Sequence, residues 1–180
     1  MKAIKQTKTS QYKILKSNFL GFAFYVETEE EIQQHLDHLR KEYHDARHLC
    51  YGYVLNNPNL QKYNDDNEPA KSSGFQILNL LIKNEITNCL IVVIRYFGGI
   101  KLGIGKLSRS YLQCAKLLIE DNLEEFIVYQ TKDITFNYSE IKRIDNLINK
   151  YQIIVLNKKF NDDKVTYHIK FKYDLKINIK

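Results

Sequence analysis

Hydrophobic residues along the chain fall into short runs and one-faced repeats. "YKILKSNFLGFAFYV" (12–26) reads as strand structure, with a turn or bulge expected near Gly21. Thr28 and Glu31 have the spacing of a capping box, and behind them Ile32, Leu36, Leu39 and Tyr43 recur at helical intervals. "RHLCYGYVL" (47–55) predicts the next strand. "NNPNLQKYNDDNEPAKSSG" (56–74) is polar with no apolar period, and a loop of that length in a compact domain is usually functional or disordered. "FQILNLLIKN" (75–84) predicts a short helix. "CLIVVIRYF" (89–97) is too continuously apolar to be half exposed and predicts a buried strand. After a glycine-rich stretch, Leu107, Tyr111, Cys114, Leu117 and Leu118 mark one face of a helix over 106–120.

A second unit starts near residue 126. "FIVYQTKDITFNY" reads as a strand, and Ser139 stands where it would cap a helix over 140–151 with Ile141, Ile144, Leu147, Ile148 and Tyr151 inward. "QIIVLNKKF" and "VTYHIKFKY" are strands joined by an "NDD" turn. In the last of them Val165, Tyr167, Ile169, Phe171 and Tyr173 alternate with Thr166, His168, Lys170 and Lys172, giving one apolar and one basic face. The order of this unit is β-α-β-β. An α+β protein of two domains, 1–124 and 125–180, is the expectation.

Composition and charge narrow the function classes. The hydrophobic content of 44% is ordinary for a globular chain, so a core can form. Cys50, Cys89 and Cys114 are odd in number and widely spaced, which argues for core thiols over a disulfide framework or thiolate metal site. "FLGFAFYV" is short and leads into "ETEEE", so it reads as a strand and not a leader; nothing reaches the roughly 20 apolar residues of a membrane span. A soluble, cytoplasmic protein is expected. Of the net charge of +6, residues 1–125 carry 16 basic and 15 acidic side chains and residues 126–180 carry 11 and 6. This excess permits contact with nucleic acid or the ribosome without requiring it.

Three stretches carry candidate chemistry. In "RYFGGIKLGIGKLSRSY" (95–111), Arg95, Lys101, Lys106 and Arg109 bring four cations together with Gly98, Gly99, Gly103 and Gly105 and no acid. Glycine lets backbone approach a ligand, and amides at a helix start favour an anion. The Walker A pattern fails, because Ile100 and Leu107 occupy its first-glycine and Ser/Thr positions. The dinucleotide pattern fails at Ser108. A tight strand-to-helix connection explains the glycines equally. In "YNDDNEPAKSSG" (63–74), Asp65, Asp66 and Glu68 suit a hard divalent ion, an ion pair with Arg95 or Arg109, or simply a turn, while Ser72, Ser73 and Gly74 place hydroxyls and amides at a helix start. In "EYHDARHLCYGY" (42–53), His44, Asp45 and His48 suggest acid–base work but have no nucleophile or metal pattern beside them. No cofactor motif is complete, so no cofactor is expected.

"SNFLGFAFYV", "HDARHLCYGY", "DDNEPAKSSGFQIL" and "VVIRYFGGIKLGIGKLSRSY", in this order, resemble the YigZ/IMPACT family over most of residues 17–111. The resemblance implies a βαβ-type two-layer N-terminal domain like the fourth domain of elongation factor G and the GHMP kinases, then a ferredoxin-like C-terminal domain. The β-α-β-β order fits most of a ferredoxin-like unit, but "DLKINIK" is too short for a further helix and strand, so a shortened domain is expected. Eukaryotic members of the family regulate translation by competing for an activator of the amino-acid-starvation kinase; bacterial members are proposed to contact nucleic acid or the ribosome. Against the family pattern D-D-G-E-P-S-G-T-A-G, Asn67, Ala70 and Lys71 replace Gly, Ser and Gly, and Lys106 stands where glycine is usual. The resulting expectation is an RNA- or ribosome-associated regulatory factor. Arg95, Lys101, Lys106 and Arg109 and the loop glycines would contact phosphate, and His48, Asp65, Asp66, Glu68, Ser72 and Ser73 would form a ligand or conformational loop. The rival is an enzyme acting on a phosphorylated or carboxylate small molecule, with Asp65, Asp66 and Glu68 as metal or acid–base site. A protein partner in translation control is the third reading.

Overall fold

The computed structural model describes residues 1–57 and 59–173, and the "DLKINIK" tail lies outside them. The chain forms two compact units, Met1–Phe126 and Ile127–Lys180.

The first unit is built on a five-stranded antiparallel sheet of order β2-β3-β6-β4-β5. Its strands are β2 (Lys8–Ile14), β3 (Ser17–Tyr25), β4 (His48–Leu55), β5 (Leu60–Asn64) and β6 (Cys89–Tyr96). Short β1 (Lys2–Ile4) and β7 (Leu123–Glu125) pair separately. The helices are α1 (Glu29–Glu42), α2 (Gly74–Lys83) and α3 (Ile104–Ile119). Both β3 and β4 run antiparallel to β6 between them, so they are parallel to each other and β3-α1-β4 is a split βαβ unit.

Central β6 is apolar from Cys89 to Ile94 because both its faces are covered. Cys89, Ile91 and Val93 join a core with Phe19, Ile77, Leu81, Tyr111 and Leu118 beneath α2 and α3. Leu90, Val92 and Ile94 join Ile32, Leu39, Leu49 and Leu55 beneath α1. The three cysteines are free and buried in this unit, and burial raises the thiols of Cys50 and Cys89 to about 12 and that of Cys114 to about 11.

Several local expectations are corrected. The reversal within residues 12–26 lies at Leu15 and Lys16, both at positive φ (44° and 63°), as a two-residue hairpin turn requires. Neither residue is a turn former, so the sequence did not mark the place; Gly21 sits mid-strand opposite Ser10. The polar segment 56–74 contains β5, an edge strand with little buried surface and therefore no hydrophobic period. Thr28 caps α1 by accepting from the Glu31 N–H at 3.2 Å, but the Glu31 carboxylate reaches back to the N–H of Glu27 instead of that of Thr28.

The second unit is a three-stranded sheet of order β8-β10-β9, from β8 (Tyr129–Asn137), β9 (Ile154–Phe160) and β10 (Lys164–Lys172), with α4 (Ile141–Lys150) between β8 and β9. This β-α-β-β order is that of the first four elements of a ferredoxin-like unit. Ile144 and Ile148 of α4 pack on Ile134, Phe136, Val165, Tyr167, Ile169 and Phe171, the apolar face of the sheet. Tyr173 does not join them; it lies just past β10 and is 68% exposed. Asn137, not Ser139, begins the helical segment. It forms a capping box with Glu140 ahead of a single 3₁₀ turn, so the helical segment begins two residues earlier than the serine implied, although α4 itself starts at Ile141.

One close approach sets the α2–sheet distance. A Cβ on Gly52 of β4 would lie 2.6 Å from the Leu78 backbone nitrogen and 3.1 Å from the Gly74 carbonyl oxygen, neither of which can rotate away. Gly52→Ala is expected to destabilise the first unit by about 2 kcal/mol, in the range of overpacked cores, read as a lower urea midpoint at unchanged slope.

Candidate functional site

Strand alternation aims one row of side chains at the site. Arg95 continues the series Ile91, Val93 on the α2–α3 face of β6, and its cross-strand partners are Phe19 on β3 and His48 on β4. The Arg95 guanidinium lies over the rings of Phe19 and Phe97, 5.7 and 5.5 Å from their centroids. It donates to Glu68 Oε1 at 2.7 Å, and the side chains of this pair are only 8% and 5% exposed. Tyr111 of α3 donates its hydroxyl to the same oxygen at 2.9 Å and takes a weak S–H bond from Cys50 at 3.4 Å. Burial raises the Tyr111 hydroxyl far above its ordinary pKa, so it remains a donor.

The other carboxylates of the acidic loop are held separately. Asp65 accepts from the N–H of Lys71 (2.7 Å), the hydroxyl and N–H of Ser73 (2.8 and 3.1 Å) and the N–H of Phe75 (3.4 Å). It thereby caps α2, whose own N-cap residue Ser73 makes no side-chain cap bond. Burial works against the Asp65 charge, but these donors outweigh it and hold the carboxyl below its ordinary pKa. Asp66 accepts from Arg40 at 2.9 Å and from the Leu49 N–H at 2.6 Å, while its carbonyl meets His48 Nδ1 at 2.9 Å. Asp45 takes a bond from the Tyr96 hydroxyl, so Asp45 and His48 do not form an acid–base pair. Ser72 is buried and its hydroxyl has no hydrogen-bond partner among the described residues. Among the described residues no three His, Cys, Asp or Glu side chains converge to hold a metal ion.

The glycine loop divides by role. Gly98 lies against the Lys16 backbone and donates to Ser17 Oγ at 3.3 Å. Gly99 and Gly103 have φ of 84° and 72° with open space where a Cβ would stand, so backbone conformation explains them. Gly105 leaves the first turn of α3 bare. Lys101, Lys106 and Arg109 are exposed. Arg95, expected with them, is instead buried and spent on Glu68.

Between the two loops lies a cavity of about 360 Å³. Arg95, Glu68 and His48 line it together with apolar Pro69, Phe97, Leu102, Ile104 and Leu107, and Arg47 and Lys101 add cationic wall. Lys71 and Lys106, the two bulky departures from the family pattern, do not line it, so they do not narrow it. Arg47 is the residue that spacing missed; it entered the sequence reading only as the start of a strand run.

Fold and site together define a two-unit α+β protein whose N-terminal split-βαβ unit places an ion-paired acidic loop beside a basic glycine loop. The Impact N-terminal domain matches residues 15–119, and the chain belongs to the IMPACT family. It is 32% identical to the IMPACT family member YvyE of Bacillus subtilis over 158 residues, covering 84% of this chain and 71% of that one. It is 31% identical to an IMPACT family member of Haemophilus influenzae, covering 87% and 78%. A crystal structure of a hypothetical protein superposes with a TM-score of 0.65 at 23% identity over 94% of this chain and 84% of that one, a likeness of fold.

Removing one partner of a buried ion pair strands the other. Arg95→Met or Glu68→Gln alone is expected to cost about 3 kcal/mol or more in urea unfolding, and the double Met variant to recover most of it. Asp65→Asn is expected to be less stable than the parent at neutral pH. Because the folded-state pKa of Asp65 is lowered, its contribution is present above the ordinary carboxylate range and is lost as pH falls through the folded value; the gap between the two proteins should close on acidification.

Proposed function

We propose that the protein is a translation-related regulatory factor that binds RNA or the ribosome through the phosphate backbone. The observation that carries this reading is the exposed trio Lys101, Lys106 and Arg109. From Tyr96 to Ile119 there is no acidic residue to neutralise it. Helix N-termini ordinarily collect acids that complement the macrodipole. The first turn of α3 has none, has no side-chain cap, and carries Lys106 in their place. Its leading N–H groups and its lysine therefore both favour an anion from outside the unit. Lys170 and Lys172 on β10 offer a second basic surface in the other unit.

The cavity favours one other reading, an enzyme acting on a phosphorylated or carboxylate small molecule. Of the acidic loop, however, only Glu68 lines it among the three carboxylates, and Glu68 is tied to Arg95 and Tyr111. Asp65 and Asp66 are committed to backbone amides and Arg40. A carboxylate-based metal or acid–base centre thus finds little support.

Co-sedimentation with ribosomes across a salt series tests the proposal. Binding should weaken steeply with salt, and Lys101→Glu with Arg109→Glu should weaken it further and flatten the log–log slope by roughly one to two units, about 0.7–0.9 per lost phosphate contact. Unchanged affinity in the double variant would sink the reading.

A further inference from the structure

The cavity beside the glycine loop has features that backbone contact does not use. Its volume of about 360 Å³ sits at the small end of ligand pockets, about 300–1,000 Å³. Phe97 lines it and stays 48% exposed, and Ile104 at its mouth is 64% exposed. Glu68 Oε1 receives both Arg95 and Tyr111, while no hydrogen bond to Oε2 is present among the described residues. Arg47 and Lys101 make no ion pair among the described residues, although both line the cavity.

We infer that this cavity seats one unstacked nucleotide, a deepening of the RNA-binding reading on which it rests. A base has the chemistry the walls ask for: a flat face for Phe97 and an edge that carries a hydrogen-bond donor. The donor meets Glu68 Oε2, which is left without a hydrogen bond among the described residues. The phosphate then lies at the mouth, where Arg47 and Lys101 are unpaired. A bare phosphate could use Arg47 and Lys101 but would leave the Phe97 ring and Glu68 Oε2 unused, and an aliphatic acid would offer no donor to Glu68. The same chemistry is presented by a nucleotide within single-stranded RNA and by a free mononucleotide.

The test uses the full chain and a fluorescein-labelled ten-nucleotide oligoadenylate, an abasic strand of equal length, and free adenosine monophosphate. Wild-type protein should bind the normal strand about tenfold or more tightly than the abasic strand, the scale of one base–aromatic stack. Phe97→Ala should erase that difference while keeping the salt slope. Lys101→Glu with Arg109→Glu should instead lower affinity for both strands and reduce the slope. Equal binding of normal and abasic strands by the wild type overturns the nucleotide pocket and leaves backbone binding standing; because that comparison uses unaltered protein, it holds even if Phe97→Ala misfolds. Binding of adenosine monophosphate that Phe97→Ala abolishes, with no binding of either strand, supports the pocket and overturns the RNA reading. No binding of any of the three probes overturns both.

Discussion

A guanidinium and a carboxylate, Arg95 and Glu68, meet at 2.7 Å where both side chains are nearly sealed from water. Taking two charges out of solvent is costly, and an isolated member would be untenable there. Three elements therefore have to agree on one geometry. β6 presents Arg95 at the end of its α2–α3 face, the acidic loop delivers Glu68, and α3 supplies the Tyr111 hydroxyl that fixes the same oxygen. The rings of Phe19 and Phe97 both lie within cation–π distance of the guanidinium. The glycine loop begins just after Phe97, so the ion pair also fixes where that loop starts.

Around this pair the acidic loop behaves as a clamp. Asp65 caps α2, Asp66 ties the loop to β4 and to Arg40 of α1, and the Asn64 side chain accepts from the Asp66 N–H at 2.8 Å. The loop's tight path needs left-handed backbone at Asp66, Asn67 and Lys71, with φ of 41°, 65° and 61°. That is the physical reason glycine is the family's usual residue at two of these places. Asn67 tolerates the conformation; Lys71 adopts it at a cost. Lys106, the other departure, occurs on ordinary helical backbone and adds exposed charge. The substitutions thus leave the cavity open and make its surroundings more basic.

Much of the fold was legible from periodicity. Ile32, Leu36, Leu39 and Tyr43 placed α1 on its core face, and the unbroken apolar run of β6 implied cover on both sides, which the two cores supply. The alternation of Val165, Tyr167, Ile169 and Phe171 gave the buried face of β10. Elements that bury little surface or span only a few residues left no such trace. β5 is an exposed edge, β1 and β7 are three residues each, and the Leu15–Lys16 turn has no glycine or asparagine to announce it.

The candidate site divides along the same line. Residue types and local order by themselves determined that a basic glycine loop and an acidic loop exist, that the standard nucleotide motifs do not fit, and that Lys101, Lys106 and Arg109 stand without acids among them. Only tertiary structure decided which charges remain available. Arg95 and Glu68 are 27 residues apart in the chain. The buried-strand pattern marked Arg95 off from the other cations, and an ion pair of the acidic loop with Arg95 or Arg109 was one alternative, but the choice of Glu68 and Arg95 was not legible. Strand pairing and the packing of α3 bury Arg95 against Glu68, leaving Lys101 and Arg109 in water and opening the cavity between the acidic and glycine loops. Spacing along the chain fixes which side chains share a face, but desolvation and pairing depend on neighbours that the fold brings from a distance.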